Sequence, residues 1–126
     1  MRKSQVERMN KINELIELIA QTDRKFFYSK SKNNVAKFIE GKTTVFYIDD
    51  YTQEKIHLSN ICKDSGFSHG GTLWGLIHDF KEWIIKGKYS NGKNGYGGLY
   101  CPHWGYTEEG MKKIQDKGKE IGFLKN

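Results

Sequence analysis

The sequence predicts an α+β fold, in which a small antiparallel sheet of three to four strands is combined with an N-terminal helix and two C-terminal helices. Apolar residues recur at helical spacing near both ends of the chain, whereas residues 25–58 contain short runs rich in β-branched and aromatic residues. The helical pattern returns in residues 66–122, where a glycine-rich loop separates two helices. A chain of 126 residues has room for one core, so residues 1–126 are expected to form a single domain.

Residues 1–22 contain the first predicted helix. Ser4 and Glu7 have the spacing of a capping box, which satisfies backbone N–H groups at a helix start. Behind this start, apolar residues recur every three or four positions until about Thr22, and they are Met9, Ile12, Leu15, Ile16, Ile19 and Ala20. This pattern indicates a helix that packs on the core or on a partner subunit, and we assign it no ligand role.

The sheet is expected within residues 25–58. Residues 40–42 are typical of a tight hairpin turn, and residues 49–53 of a longer one. The strand at 43–48 has large apolar side chains on both alternating faces, so each face needs cover from the protein's own helices or from another subunit. This pattern hints at an oligomer. The four predicted strand segments are 26–28, 35–39, 43–48 and 54–58.

The most regular amphipathic helix is predicted within residues 66–86, and its start is chemically the most informative part of the chain. A turn of small residues at 68–72 precedes the helix. Its two glycines leave the backbone accessible, and the first N–H groups of a helix are unpaired donors that suit an anion. The hydroxyl of Ser68 or Thr72 can cap the helix or help to hold that anion. Gly87 is expected to end the helix.

The segment after this helix, residues 87–100, is dominated by glycine, asparagine and tyrosine. Such a loop can close over a ligand, because tyrosines offer flat faces and asparagines offer polar contacts. The same residues are also usual in a flexible surface connection, and both interpretations stay open. Beyond this loop, Thr107 is expected to cap the last helix and Gly122 to end it.

Composition limits the classes of function. The net charge is +6 and is spread evenly, which indicates a mild attraction for small anions. Only Arg2, Arg8 and Arg24 are arginines, so duplex DNA, which is often read by arginine, is not an expected partner. No apolar run reaches the roughly 20 residues of a membrane span, and the N-terminus lacks a secretory signal pattern. We therefore expect a cytoplasmic protein without a membrane partner, and two cysteines fit that reducing compartment.

Neither a metal site nor a catalytic site is predicted. Four possible zinc ligands exist, namely Cys62, His69, Cys101 and His103. Their C-x₆-H and C-x-H spacings differ from the two to four residues that usually separate paired ligands in structural zinc sites. The GxxxxGK[ST] phosphate-binding loop and the Rossmann glycine pattern are both missing, and no established nucleophile–base pair is present. We expect no cofactor and no turnover.

The remaining pattern favours a binding site for a nucleotide-like ligand. An aromatic face can stack on a base, and a glycine-backed helix start can hold a phosphate. Trp74 lies beside the apolar stripe of its helix, so buried packing is an alternative role for it. The expected ligand-binding residues are Arg24, Phe67, Ser68, His69, Gly70, Gly71, Thr72, Trp74, Asn91, Asn94, Tyr100, Trp104 and Tyr106.

The run FSHGGTLWGLI, the glycine-rich loop, HWGY and the terminal EEGMKKIQDKGKEIGF together resemble the phage-encoded Thoeris anti-defence sponges. The similarity extends from about Arg24 to the C-terminus. It implies a protein that binds a cyclic ADP-ribose isomer made by TIR-domain defence proteins and sequesters it without hydrolysis. It also implies a homo-oligomer, a dimer or a hexamer, with pockets between subunits and, in some members, separate sites for cyclic trinucleotides. The matched residues are Phe67, His69, Gly70, Gly71, Thr72, Trp104 and Tyr106.

Two alternatives belong to other classes of protein. A small single-stranded nucleic-acid-binding protein could use the same aromatic residues together with the positive charge. Counterion release would then make its affinity fall steeply with added salt. A nucleotide-processing enzyme is the less favoured alternative, and it would release a product.

Overall fold

The computed structural model describes residues 1–57, 71–90 and 97–125, and it confirms the α+β fold with one N-terminal and two C-terminal helices. The helices are α1 (Lys3–Gln21), α2 (Gly71–Lys86) and α3 (Glu108–Glu120), and the strands are β1 (Tyr28–Ser29), β2 (Asn34–Val35), β3 (Lys37–Glu40), β4 (Val45–Ile48) and β5 (Lys55–His57). Two short 3₁₀ turns, Gly98–Tyr100 and Pro102–Trp104, precede α3. Within the described ranges, no helix combines the length and hydropathy that a bilayer span requires.

The described strands form two small antiparallel sheets. β1 pairs with β2, and a separate three-stranded sheet has the order β3-β4-β5. The predicted continuous strand at 35–39 is divided at Ala36, which is buried and donates its backbone N–H to the Phe27 carbonyl oxygen at 2.8 Å. The chain therefore changes partner at this residue, pairing first with β1 and then with β4.

The core lies between the apolar faces of α1 and α2 and the inward face of the three-stranded sheet. All six apolar residues predicted for α1 are buried. On the sheet, the rings of Phe38 and Tyr47 meet with centroids 5.6 Å apart. Phe80 of α2 contacts both Phe38, at 6.3 Å between centroids, and Phe27, at 6.4 Å. These aromatic contacts hold both sheets and α2 in one core.

The start of α1 differs from the prediction. The cap residue is Arg2, whose backbone N–H donates to Gln5 Oε1 at 2.8 Å, and the helix begins at Lys3. The predicted Ser4–Glu7 capping box is wrong, because Ser4 already lies within the first turn. Gln5, three residues after Arg2, is the acceptor in place of the predicted Glu7.

The ends of the other helices agree with the prediction. The Gly87 N–H donates to the Trp83 carbonyl oxygen at 2.8 Å, and Gly87 has a φ of +71°, which suits glycine after a last helical turn. Thr107 caps α3, because its Oγ1 accepts a hydrogen bond from the Gly110 N–H at 3.0 Å. Gly122, with a φ of +86°, follows the end of α3.

A carbonyl group in the last turn of α2 accepts hydrogen bonds from a side chain of α1. Arg8 of α1 donates from Nε and Nη2 to the Ile84 carbonyl oxygen, at 3.2 and 3.0 Å. The carbonyl groups in the last turn of a helix have no partner within the helix, so Arg8 supplies one from a neighbouring element. This contact fixes the C-terminal end of α2 against α1.

Candidate ligand-binding cleft

A cleft of about 280 Å³ lies between the second 3₁₀ turn and the first turns of α3. Three of the predicted site residues line it, Tyr100, Trp104 and Tyr106, and we call it the aromatic cleft. Met111 and Gln115 are among the α3 residues on the opposite side. The sequence places these aromatic residues close together along the chain, and the two 3₁₀ turns direct them to one concave surface.

Phe26 joins Trp104 and Tyr106 in a cluster of three rings. The ring centroids of Trp104 and Tyr106 are 5.3 Å apart, and Phe26 lies 5.6 Å from Trp104 and 5.7 Å from Tyr106. The sequence pattern predicts Phe26 only as part of a strand. Its position shows that the chain before β1 supports the wall of the cleft, because aromatic pairs at this distance stabilise each other beyond simple burial.

The backbone leading to Phe26 is unusual. Asp23, Lys25 and Phe27 have φ values of +38°, +54° and +68°, a region that residues other than glycine rarely adopt. Each such residue costs of order 1–3 kcal/mol, so the surrounding contacts must impose the conformation. Arg24 and Phe26, which alternate with these residues, both contact the C-terminal segment.

Arg24 packs against the backbone of the 104–105 segment, although it is far away in the sequence. Its Nη1 donates to the Trp104 carbonyl oxygen at 3.1 Å, and its Cζ lies 5.3 Å from the Phe26 centroid. Gly105 makes room for this side chain, since a Cβ on Gly105 would lie 2.6 Å from Arg24 Nη1. Arg24 is exposed, so its guanidinium can meet an anionic group near the aromatic rings.

The hydroxyl of Tyr106 has a structural role. It accepts a hydrogen bond from the Phe26 N–H and donates one to the Ile19 carbonyl oxygen, both at 3.3 Å. Burial is the main cause that raises the pKa of Tyr106 to about 12. The hydroxyl therefore stays protonated near neutral pH, and it is the ring of Tyr106 that borders the cleft.

The comparisons with known proteins place the chain in a family. The model of the YoqU family matches residues 2–126. This chain belongs to the YoqU family. It is 43% identical over 122 residues to the SPbeta prophage-derived uncharacterized protein YoqU of Bacillus subtilis (strain 168), and the alignment covers 95% of this chain and 85% of that relative. No solved structure matches the chain. The family description names no ligand, so the chemistry of the cleft must be argued from its residues.

In this YoqU-family chain, Tyr100 and Trp104 differ in exposure. Tyr100 is 42% exposed, so its ring is accessible to a planar ligand. Trp104 is only 1% exposed, so its ring face offers little area for stacking, and its role in binding a ligand stays a prediction. Trp104 Nε1 is buried without a hydrogen-bond partner in the described structure, and the ring serves as the floor of the cleft.

Trp74 makes packing contacts, and a ligand-binding role for it stays a prediction. It is half-buried against the core and stacks on His78, with centroids 5.6 Å apart and ring planes 9° apart. Gly71 is the first described residue of α2, and the predicted turn before it stays a prediction. The Thr72 side chain and six further predicted residues lie outside what the structure describes, and their role stays a prediction. The six are Phe67, Ser68, His69, Gly70, Asn91 and Asn94.

The ends of the glycine-rich loop of this YoqU-family chain are anchored. At one end, the Ser90 N–H donates to the Phe123 carbonyl oxygen and the Ser90 Oγ to Asp79 Oδ2, both at 3.0 Å. At the other end, Leu99 is fully buried and its carbonyl oxygen accepts from Gln115 Nε2 at 2.9 Å. Tyr100 therefore extends from a turn that Gln115 of α3 holds in place.

Proposed function

We propose that this protein binds a cyclic ADP-ribose-type nucleotide and sequesters it without cleaving it, so that TIR-dependent Thoeris immunity is blocked. The observation that carries the proposal is that Tyr100 and the 104–106 segment line one cleft, while Arg24 is hydrogen-bonded to the backbone of that segment at Trp104. Two further points support it: the sequence resembles the phage sponges, and the matched relative is described as prophage-derived.

Tyr100 in the cleft and Arg24 beside the 104–105 backbone offer the two contacts that such a nucleotide needs. The exposed ring of Tyr100 can stack on adenine, and stacking contributes about 1–3 kcal/mol per base in nucleic-acid systems. The planar guanidinium of Arg24 can donate two parallel hydrogen bonds to a phosphate group. Sequestration needs slow release of the ligand and no chemical step, and both contacts act on the release rate.

The aromatic cleft is too small to enclose the whole proposed ligand, which supports a site shared between subunits. Its volume of about 280 Å³ lies below the range of roughly 300–1,000 Å³ for small-molecule pockets, so it suits one base with its ribose. We propose that the phosphates and the second ribose meet other walls, supplied by the turn at 68–72 and by a second copy of the chain. The assembly would then be a dimer or a hexamer with pockets between subunits.

The test is a capture experiment. The purified protein is incubated with extract from cells that carry an activated TIR defence system, re-isolated and heated, and the released small molecules are identified by mass spectrometry. Release of an intact cyclic ADP-ribose isomer is the expected result. Release of a linear nucleotide would indicate an enzyme, and release of no nucleotide would remove the basis of the proposal.

Single substitutions can test whether the ligand binds at the aromatic cleft. Tyr100→Ala is expected to weaken ligand affinity about tenfold or more, because the stacking face is removed. Tyr51→Ala is the matched control, since Tyr51 is 53% exposed and does not line the cleft. Equal affinities of the two variants would show that the ligand binds elsewhere. Competition of the captured ligand by a single-stranded oligonucleotide would favour the nucleic-acid alternative for this cleft.

A further inference from the structure

The outward face of the three-stranded sheet is a second surface of interest, separate from the aromatic cleft. The pairing register aligns its outward residues in two cross-strand rows, Lys37–Ile48–Lys55 and Ile39–Phe46–His57. The alternating neighbours Phe38, Tyr47 and Ile56 are buried in the core, which fixes the direction of the outward set. We call these six residues the sheet face.

Phe46 lies at the centre of one row. It is half-buried, the Lys55 Nζ lies 4.3 Å from its ring centroid, and the His57 ring meets it edge-on with centroids 5.1 Å apart. Gly41 in the β3–β4 turn allows this ring position, since a Cβ there would lie 2.7 Å from Phe46 Cε2. A groove of about 610 Å³ runs along the turn, Phe46 and Lys55. The sheet face therefore presents an aromatic ring beside a cation.

The charge of the sheet face indicates which class of partner it can bind. Lys37 and Lys55 lie on the two outer strands of this sheet, and none of the six outward residues is acidic. Glu40 lines the groove and its side chain is 51% exposed, but its carboxylate lies 4.0 Å from the positively charged amino group of Met1, and Lys42 lines the same groove. A second copy packed face to face would bring lysines towards lysines, which is unfavourable. The surface instead complements an anionic partner.

We propose that the sheet face binds single-stranded nucleic acid. The Lys55 ammonium moves from the Phe46 ring to a phosphate, and a base then stacks on the ring. Lys37, on the same face but at the opposite outer strand, contacts a second phosphate. An acidic peptide would also satisfy the lysines but would make no use of the aromatic ring. A duplex keeps its bases stacked on each other and offers no free base to Phe46, so the site selects single strands.

The test measures fluorescence anisotropy with a labelled oligothymidylate of about 12 nucleotides, a length within the ~4–16 nucleotides that single OB folds cover. The double variant Lys37→Glu/Lys55→Glu is expected to weaken binding at least about tenfold. The control Lys3→Glu/Lys11→Glu alters two exposed lysines of α1, so the net charge changes by the same amount. This control is expected to stay within about threefold of wild type.

Two further measurements address the mechanism. Contacts with two phosphates predict a slope of about −1.4 in the plot of log affinity against log salt concentration. Phe46→Leu keeps an apolar side chain but removes the flat ring, and it should lower affinity about tenfold while the circular dichroism spectrum and melting temperature show a folded protein.

Three outcomes would overturn the proposal. The first is an equal loss of oligonucleotide affinity in the sheet-face double variant and in its α1 control, since binding would then follow net charge alone. The second is equally tight binding of a duplex, and the third is equally effective competition by polyglutamate. The nucleotide capture described above is expected to be unchanged in Lys37→Glu/Lys55→Glu. Failure of the sheet-face proposal is thus distinguishable from failure of the sequestration proposal.

Discussion

The guanidinium of Arg24 donates a hydrogen bond from Nη1 to the backbone carbonyl oxygen of Trp104, 3.1 Å away, and so joins two segments 80 residues apart in the sequence. The contact places a cation beside the floor of the aromatic cleft. It uses backbone that Gly105 leaves accessible, because any larger residue would overlap with the Arg24 side chain. One side chain thereby both fixes the 104–106 segment and borders the proposed ligand site.

The proposed role of Arg24 gives the first prediction. Arg24→Lys keeps the positive charge but loses the planar fork that donates two parallel hydrogen bonds. We expect about tenfold weaker binding of the cyclic ADP-ribose isomer, measured by isothermal titration calorimetry. The control is Arg8→Lys, which disturbs the contact with the Ile84 carbonyl group and should lower the melting temperature without changing ligand affinity. Unchanged affinity in Arg24→Lys would contradict the proposed contact.

The second prediction concerns Gly110 and Asp23. The Asp23 Oδ2 accepts hydrogen bonds from the Thr107 N–H at 3.0 Å and from its Oγ1 at 2.9 Å. A Cβ on Gly110 would overlap with this carboxylate and force it away. Losing two hydrogen bonds costs about 2 kcal/mol, whereas alanine adds about 1 kcal/mol of helix propensity. Gly110→Ala should therefore lower the free energy of unfolding by about 1 kcal/mol, as urea denaturation can measure.

A double-mutant cycle checks the cause. In an Asp23→Ala background the carboxylate is gone, so Gly110→Ala should cost less than it does in the wild-type chain. Equal effects in both backgrounds would mean that the loss arises within α3 and not from its contact with Asp23.

The parts of the fold that could be predicted are those set by contacts between residues close together in the sequence. Gly87 and Thr107 end and begin helices through contacts within one turn, so sequence spacing was sufficient for them. The division of the sheets at Ala36 depends on which partner each half of the segment finds, and a local pattern contains no such information.

The candidate site was predictable in composition but not in geometry. The aromatic residues and Arg24 were recognisable by type, yet the burial of Trp104 follows from packing that the sequence pattern does not show. Phe26 was missed because its partners lie about 80 residues away and its run of aromatic residues is equally typical of a strand. The positive φ values around it are imposed by the same distant contacts.

The third prediction concerns Asn13, which no local pattern singles out. Its Nδ2 donates to the Phe38 carbonyl oxygen at 2.9 Å, and its Oδ1 accepts from the Phe38 N–H at 2.8 Å. The amide thus pairs with β3 as a neighbouring strand would. Asn13→Ala should lower the free energy of unfolding by about 2 kcal/mol more than Asn10→Ala, which makes the same change in helix propensity at an exposed position of α1. Similar denaturation midpoints for both variants would contradict this role.

The fourth prediction is a decline of stability at alkaline pH. Burial raises the pKa of Tyr106 from 10.0 to about 12 and also raises the pKa of Tyr47. Between these values the folded protein holds protons that the unfolded chain has lost, so the free energy of unfolding should fall as pH rises from about 10 towards 12. Urea denaturation at several pH values measures this slope.

The variant Tyr106→Phe separates the contribution of this one residue. At pH 7 it should be less stable than wild type by about 1 kcal/mol, because the Phe26 N–H and the Ile19 carbonyl group lose the hydroxyl between them. Above pH 10 its stability should decline less steeply, since the variant has no proton to lose at this position, and the two curves should approach each other. Tyr51→Phe, at an exposed ring, should keep the wild-type decline. Parallel curves for Tyr106→Phe and wild type would show that the alkaline loss has another origin, with the buried Tyr47 as the next residue to vary.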